Sequence, residues 1–227
     1  MIIELENISK EYFNGESEIK REVLKGVSLN INKGDALSIV GPSGSGKSTL
    51  LNIIGTLDMP TTGVVKFMGN EINDYTDNQL AGIRNQKIGF IFQSHHLLPQ
   101  LNLLENVLLP TIAQKDKAKK KLALARALVL LKEVGLEDNI HQLPGQLSGG
   151  ECQRTAVVRA LINEPELILA DEPTGSLDNK SAEIIGKLLS KINKEKKVAL
   201  IVVTHNMKLA KTIGNVYQFV DGKITKN

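Results

Sequence analysis

The densest chemistry in this sequence lies at Gly41-Pro42-Ser43-Gly44-Ser45-Gly46-Lys47-Ser48-Thr49. Gly41, Gly44 and Gly46 allow the backbone to curl and bring its N–H groups up to phosphate oxygens with no Cβ in the way. Lys47 adds a full positive charge suited to terminal phosphates, and the Ser48 hydroxyl is a hard oxygen ligand for Mg²⁺. A second stretch, Leu167-Ile168-Leu169-Ala170-Asp171-Glu172, runs an apolar segment into two adjacent carboxylates. Asp171 is placed to hold Mg²⁺, and Glu172 to orient or deprotonate a water. Together the stretches point to a nucleoside triphosphate that is bound and then hydrolysed; the glycine loop alone does not choose between ATP and GTP.

Such groups need a strand to deliver them and a helix to receive the phosphate. Ala36–Val40 reads as a buried strand entering the glycine loop, and Leu50-Leu51 and Ile53-Ile54 fit a helix that ends at Gly55. That helix would aim unpaired N–H donors and its positive dipole end at the anion. Val27–Ile31 alternates as a half-wet strand. Further strands are expected at Val64–Phe67, Ile88–Phe92, Leu167–Ala170, Val198–Thr204 and Val216–Val220. Several are almost wholly apolar, as when helices cover both sheet faces. From Leu101 to Leu136 the chain is rich in Leu, Ala, Lys and Glu and reads as helix after Pro110, so a helical subdomain interrupts an α/β core.

Composition sets the limits. The 227 residues fit one domain with at most a modest insertion, and 41% hydrophobic content supplies a core without staples. A net charge of +3 and the absence of tryptophan argue against nucleic acid. The basic run Lys115–Lys121 reads first as a solvated helix start, and second as a contact for anionic lipid or an acidic partner. One cysteine, Cys152, excludes an internal disulfide and fits a reducing compartment. Acids at Glu4 and Glu6 stand where a secretion signal has bases, and no apolar run approaches the ~20 residues of a membrane span. A cytoplasmic chain is expected.

Leu147-Ser148-Gly149-Gly150, upstream of Asp171, resembles the signature loop of ATP-binding cassette (ABC) ATPases. The likeness spans nearly the whole chain. It implies a P-loop NTPase fold with a mainly parallel central sheet, an antiparallel β subdomain and a helical subdomain at about residues 94–147, all in one domain, 1–227. It also implies that Ser148, Gly149 and Gly150 face the γ-phosphate held by a second copy, so that a homodimer sandwiches two ATP molecules. Gln93 matches the glutamine that reaches Mg²⁺ and the attacking water. Ser176-Leu177-Asp178 matches the loop lining the dimer seam, His205 the histidine that contacts the γ-phosphate, and Tyr12 the aromatic ring against adenine.

Asn85–Pro99, Leu104-Glu105-Asn106-Val107, Ala170–Asp178 and Gly55-Thr56-Leu57-Asp58 are similar to the branch that includes LolD and MacB-type ATPases. That branch implies an integral-membrane permease of the FtsX/LolC/LolE/MacB kind, with the chain peripheral on the inner membrane face. Lipoprotein release is the leading expectation. A MacB-type exporter of peptides or small molecules, and an FtsE-like regulator signalling through a membrane protein, are the alternatives. His95, His96, Leu97, Leu98 and Pro99, directly after Gln93, are expected to help receive a cytoplasmic helix of the permease. Two residues depart from the branch: Cys152 replaces a long polar residue, and Ser176 stands where asparagine is usual. Cys152 near a helix N-terminus is expected to be either a packed, inert thiol or a redox-sensitive one.

Overall fold

The computed structural model describes residues 1–13 and 20–226. In chain order it comprises β1 (Ile3–Phe13), β2 (Lys20–Ile31), β3 (Ala36–Val40), α1 (Lys47–Ile54), β4 (Thr62–Phe67), β5 (Asn70–Glu71) and α2 (Asp77–Lys87). There follow β6 (Ile88–Ile91), α3 (Leu103–Leu108), α4 (Lys117–Glu133), α5 (Gly149–Leu161), β7 (Leu167–Asp171), α6 (Asn179–Lys196), β8 (Ala199–Val203), α7 (Met207–Ile213), β9 (Asn215–Val220) and β10 (Lys223–Lys226).

Two sheets form. The larger runs β10-β9-β3-β8-β7-β6, parallel throughout except for β10 on β9. The smaller is antiparallel, β2-β1-β4-β5. Strand alternation divides the core in two. Leu167, Leu169, Ile201 and Val203 join α1 and the smaller sheet on one face. Ile168, Ala170, Leu200 and Val202 join α3 to α7 on the other. Both faces of β7 and β8 are therefore dry, which is why these strands read as unbroken apolar runs.

Several expectations need correction. β1 was not expected, because its apolar residues fall out of step; register shifts beside Ile8 and Lys10 break the period. β2 starts well before Val27, at Lys20. Helix follows Pro110 as expected, in α4, but a further helix, α3, stands before that proline. Asn102 and Glu105 box the first, and Asp116 caps the second. α3 and α4 pack on α5 and on each other, on the side of the large sheet away from the smaller one.

Candidate functional site

The glycine loop joins the end of β3 to the start of α1. A Cβ on Gly41 would lie 2.1 Å from the Phe219 carbonyl oxygen, so only glycine lets the loop cross β9 this closely. Gly46 has φ of 107° and backs onto Val23, which fixes the first turn of α1. Lys47 is buried to 7% exposure, and its ammonium donates to the Gly41 and Pro42 carbonyls at 3.0 and 2.8 Å. The charge is thus folded back beneath the loop, where it can meet an anion held by the loop N–H groups.

A cleft of about 650 Å³ opens over this loop, lined by Ser43, Gly44, Lys47, Ser48, Gln93, Asp171, Glu172 and His205 among others. Burial raises the Asp171 carboxyl above its ordinary range; hydrogen bonding to Ser48 opposes this, the Glu172 charge adds to it, and Lys47 opposes it. Glu172 does not continue the strand alternation of β7. It takes a left-handed φ of 46° just past β7, and this turns its carboxylate toward β8. There Oε2 accepts from the Thr204 hydroxyl at 3.0 Å, and Oε1 accepts from the His205 N–H at 3.0 Å. His205 Nδ1 lies 2.8 Å from the same Oε1. The pair can bind and orient a polar hydrogen donor such as water.

Gln93 lies across the same cleft, and its side chain packs on Gly175, where any Cβ would fall 2.9 Å from Nε2. Its carbonyl accepts from Ser176 Oγ at 3.1 Å. Two residues that no motif marks hold the rest of this segment. Gln153, fully buried on α5, donates from Nε2 to the Phe92 carbonyl at 2.9 Å. Arg159, also on α5, donates to the His96 and His95 carbonyls at 2.6 Å each. The available signal was a glutamine and an arginine inside the apolar period of α5, but their partners are backbone atoms and leave no sequence trace.

Tyr12 stands apart from the cleft but beside the same loop. It lines a hollow of about 370 Å³ with Arg21, Gly44, Gly46, Lys47, Ser48 and Thr49, and its hydroxyl donates to Asp58 at 2.8 Å. Pro42 and Ser45 complete the loop, with Ser45 Oγ buried and without a hydrogen-bond partner among the described residues. Ser148, by contrast, is outside both hollows. It caps α5 in a box with Glu151, Oγ donating to Glu151 at 2.7 Å, and Ser148 and Gly149 are exposed. Gly150 is buried against Ser181, next to the Asp178 cap of α6. The two glycine-rich helix starts of one chain therefore do not face a common hollow.

One further expectation changes. Leu97 is buried to 7% exposure, so it packs inward, and only His96, Leu98 and Pro99 of that segment are exposed. An apolar cleft of about 430 Å³ does lie alongside, between α2, β6 and α5, lined by Ala81, Arg84, Phe90, Phe92, Leu109 and Arg159 among others. Cys152 is buried, its Sγ 3.5 Å from the Pro144 carbonyl oxygen, and burial followed by the Glu151 charge pushes its thiol up. Burial of the thiol favours the packed, inert reading over the redox-sensitive one.

The ABC transporter family profile matches residues 24–175, well over half of the chain. The chain belongs to the ABC transporter family. It is an ABC-type ATPase, the motor component of such a transporter, on a P-loop NTPase fold. The lipoprotein-releasing system ATP-binding protein LolD of Geobacter metallireducens is 45% identical over 223 residues, 98% of this chain and 97% of that protein. The dimeric structure of MJ0796, a bacterial ABC transporter cassette, superposes with a TM-score of 0.88 at 44% identity, covering 100% of this chain and 98% of that one. A dimeric post-hydrolysis state of the same cassette, bound to ADP and Pi, gives a TM-score of 0.86 at 42% identity, with the same coverage. Among the described residues, no helix of this ABC ATPase is long and apolar enough to cross a membrane.

Proposed function

We propose that this chain couples ATP hydrolysis to the release of lipoproteins from the inner membrane. It would do so as a homodimer seated on an integral-membrane permease, peripheral on the inner face. One observation supports the division of labour: Lys47, Ser48, Gln93, Asp171, Glu172 and His205 share a cleft that excludes Ser148 and Gly149. A second copy is then needed to present Ser148, Gly149 and Gly150 to the γ-phosphate. The reading takes residues 1–227 as one cassette, with about 94–147 as its helical subdomain.

In this assignment Tyr12 stacks on adenine, and the N–H groups of Gly41 to Thr49 cradle the β- and γ-phosphates. Lys47 leaves the Gly41 and Pro42 carbonyls to spread their charge. Ser48, Asp171 and Gln93 supply hard oxygen donors to the cleft, a set that fits Mg²⁺ together with substrate phosphates. When bound, Mg²⁺ would neutralise charge on the β- and γ-oxygens. Glu172, held by Thr204 and His205, aligns water for in-line attack and accepts its proton. His205 then contacts the γ-phosphate. ATP closes the dimer, and hydrolysis reopens it.

The stroke leaves through the 430 Å³ cleft between α2, β6 and α5, which would receive a cytoplasmic segment of the permease. His96 lies beside it, its ring 5.2 Å from that of Phe92. Glu172→Gln tests the catalytic assignment. It should bind ATP, accumulate as a dimer and hydrolyse about 10²–10⁴-fold more slowly; wild-type turnover overturns it. Affinity capture from membranes tests the transport assignment. Recovery of a permease that, reconstituted with this chain, releases acylated proteins supports it. Export of unacylated peptides instead favours the MacB-type reading, and ATP-dependent signalling with no cargo the FtsE-like one.

A further inference from the structure

Helix α4 has two apolar faces, and only one is buried against other elements among the described residues. Ala123, Ala127, Leu130 and Leu131 are buried toward α3 and α5. At the helical period, Ala118, Leu122, Ala125 and Val129 fall on the opposite face. All four are exposed, Leu122 at 63% and Val129 at 58%. A helix that only covers a core would carry charge there. Here most of the charge is gathered at and just before the start of the helix, in Lys115, Lys117, Lys119, Lys120 and Lys121, all exposed, with Arg126, Lys132 and Glu133 further along. Cations oppose the helix dipole at this end, so helix stability does not account for them. Among the described residues none of the five pairs with an acid. Asp116, the one acid in the run, is engaged as the cap, accepting from the Ala118 N–H at 2.8 Å.

We infer that this face of α4 rests on the anionic phospholipid surface of a bilayer. Lys119 and Lys121, which flank this face one helical step to either side of Leu122, would meet headgroup phosphates, while Leu122 and Val129 enter the boundary with the acyl chains. The composition favours lipid over protein. Lysine is depleted at protein interfaces, where arginine makes defined contacts, whereas long mobile ammonium groups suit a diffuse anionic surface. The position agrees. A groove of about 560 Å³ bounded by Lys119 and Leu122 shares Asn85, Pro110 and Asn163 with the proposed permease cleft. A chain seated there turns the start of α4 to the same membrane. The inference goes beyond the transport assignment and is tested without a permease.

The test is flotation of the purified chain with phosphatidylcholine vesicles and with vesicles that also contain phosphatidylglycerol. Wild type should float only with the anionic vesicles, and less at high salt. Each lysine near such a surface strengthens binding about fivefold, so Lys119→Ala/Lys121→Ala should weaken it about 25-fold. Leu122→Ser/Val129→Ser should weaken it at unchanged charge. Basal ATP hydrolysis and thermal unfolding should be unaltered in both, which separates lost lipid contact from lost fold. Failure of wild type to float with anionic vesicles overturns the inference, as does full binding by both variants. Loss of self-association in Leu122→Ser/Val129→Ser, with no vesicle binding by wild type, gives the face to a second copy instead.

Discussion

Arg159→Met removes the clamp that joins α5 to the segment carrying Gln93. Two charge-assisted hydrogen bonds, to the carbonyls of His95 and His96, are lost. Bonds to a charged group contribute about 1.5–3 kcal/mol each, so about 3–6 kcal/mol is at stake before relaxation. Three features reduce it. His96 is exposed and His95 half-buried, so the freed carbonyls reach water. His96 is held at a φ of 48°, and its return to a relaxed backbone recovers about 1 kcal/mol. Methionine keeps most of the packing of the arginine stem. A net cost of about 2 kcal/mol remains, about a thirtyfold change in the local opening equilibrium.

Hydrogen exchange reads that change directly. The Leu97 amide donates to His95 Nδ1 at 3.1 Å, and the Leu98 amide to Asn106 Oδ1 at 2.7 Å. Both should lose protection about thirtyfold in Arg159→Met, while the β8 amides keep theirs. Because the glycine loop is untouched, kcat for ATP should fall with little change in KM, and Arg159→Lys, able to restore one bond, should recover part of it. Unchanged protection at Leu97 and Leu98 refutes the clamp. A raised KM at constant kcat refutes its link to Gln93.

Tyr12→Ala should weaken ATP binding about ten- to a hundredfold, the usual worth of one aromatic–base stack, with Tyr12→Phe near wild type in equilibrium binding. Burial gives Asp171 a raised folded pKa, so the folded chain holds its proton to higher pH than the unfolded one, and stability from this site falls as pH rises through the raised value. Asp171→Asn should therefore raise the nucleotide-free unfolding temperature at neutral pH and by less in acid, while abolishing metal-dependent turnover; a lowered midpoint at neutral pH counts against it. Cys152 should resist an aromatic disulfide reagent in the native chain and react at once after unfolding, since burial shields the thiol and raises its pKa; fast native labelling contradicts the packing.

The strands that deliver chemistry were legible because each is almost wholly apolar, with both faces dry. β3, β7 and β8 lie inside the large sheet, and their lack of alternation is itself the signal. β1 was illegible for the opposite reason. Its bulges put Ile3, Leu5 and Ile8 on one dry side although their spacing is uneven. Asp171 could be placed from sequence because it ends a strand, but the direction of Glu172 could not, since a single left-handed φ overrides the alternation. Gln153 and Arg159 were invisible because they serve carbonyl groups, which every residue offers alike.

These last contacts change how the site is divided. Gln93 belongs by chain order to the end of β6, yet the backbone around it is held from α5, the helix that Ser148 begins. On the other side Ser176 Oγ ties Gln93 to the loop that follows Glu172. The segment after β6 is thus a bridge between the helix carrying the exposed serine and the strand end carrying the carboxylates. Motion of α5 against the large sheet must stretch one set of bonds or the other. A closing second copy would press on α5 at Ser148, and a permease in the neighbouring cleft would press on the same bridge through Phe92 and Arg159. Both inputs then act on one element, and that convergence is the physical basis for coupling nucleotide to membrane in the proposed motor.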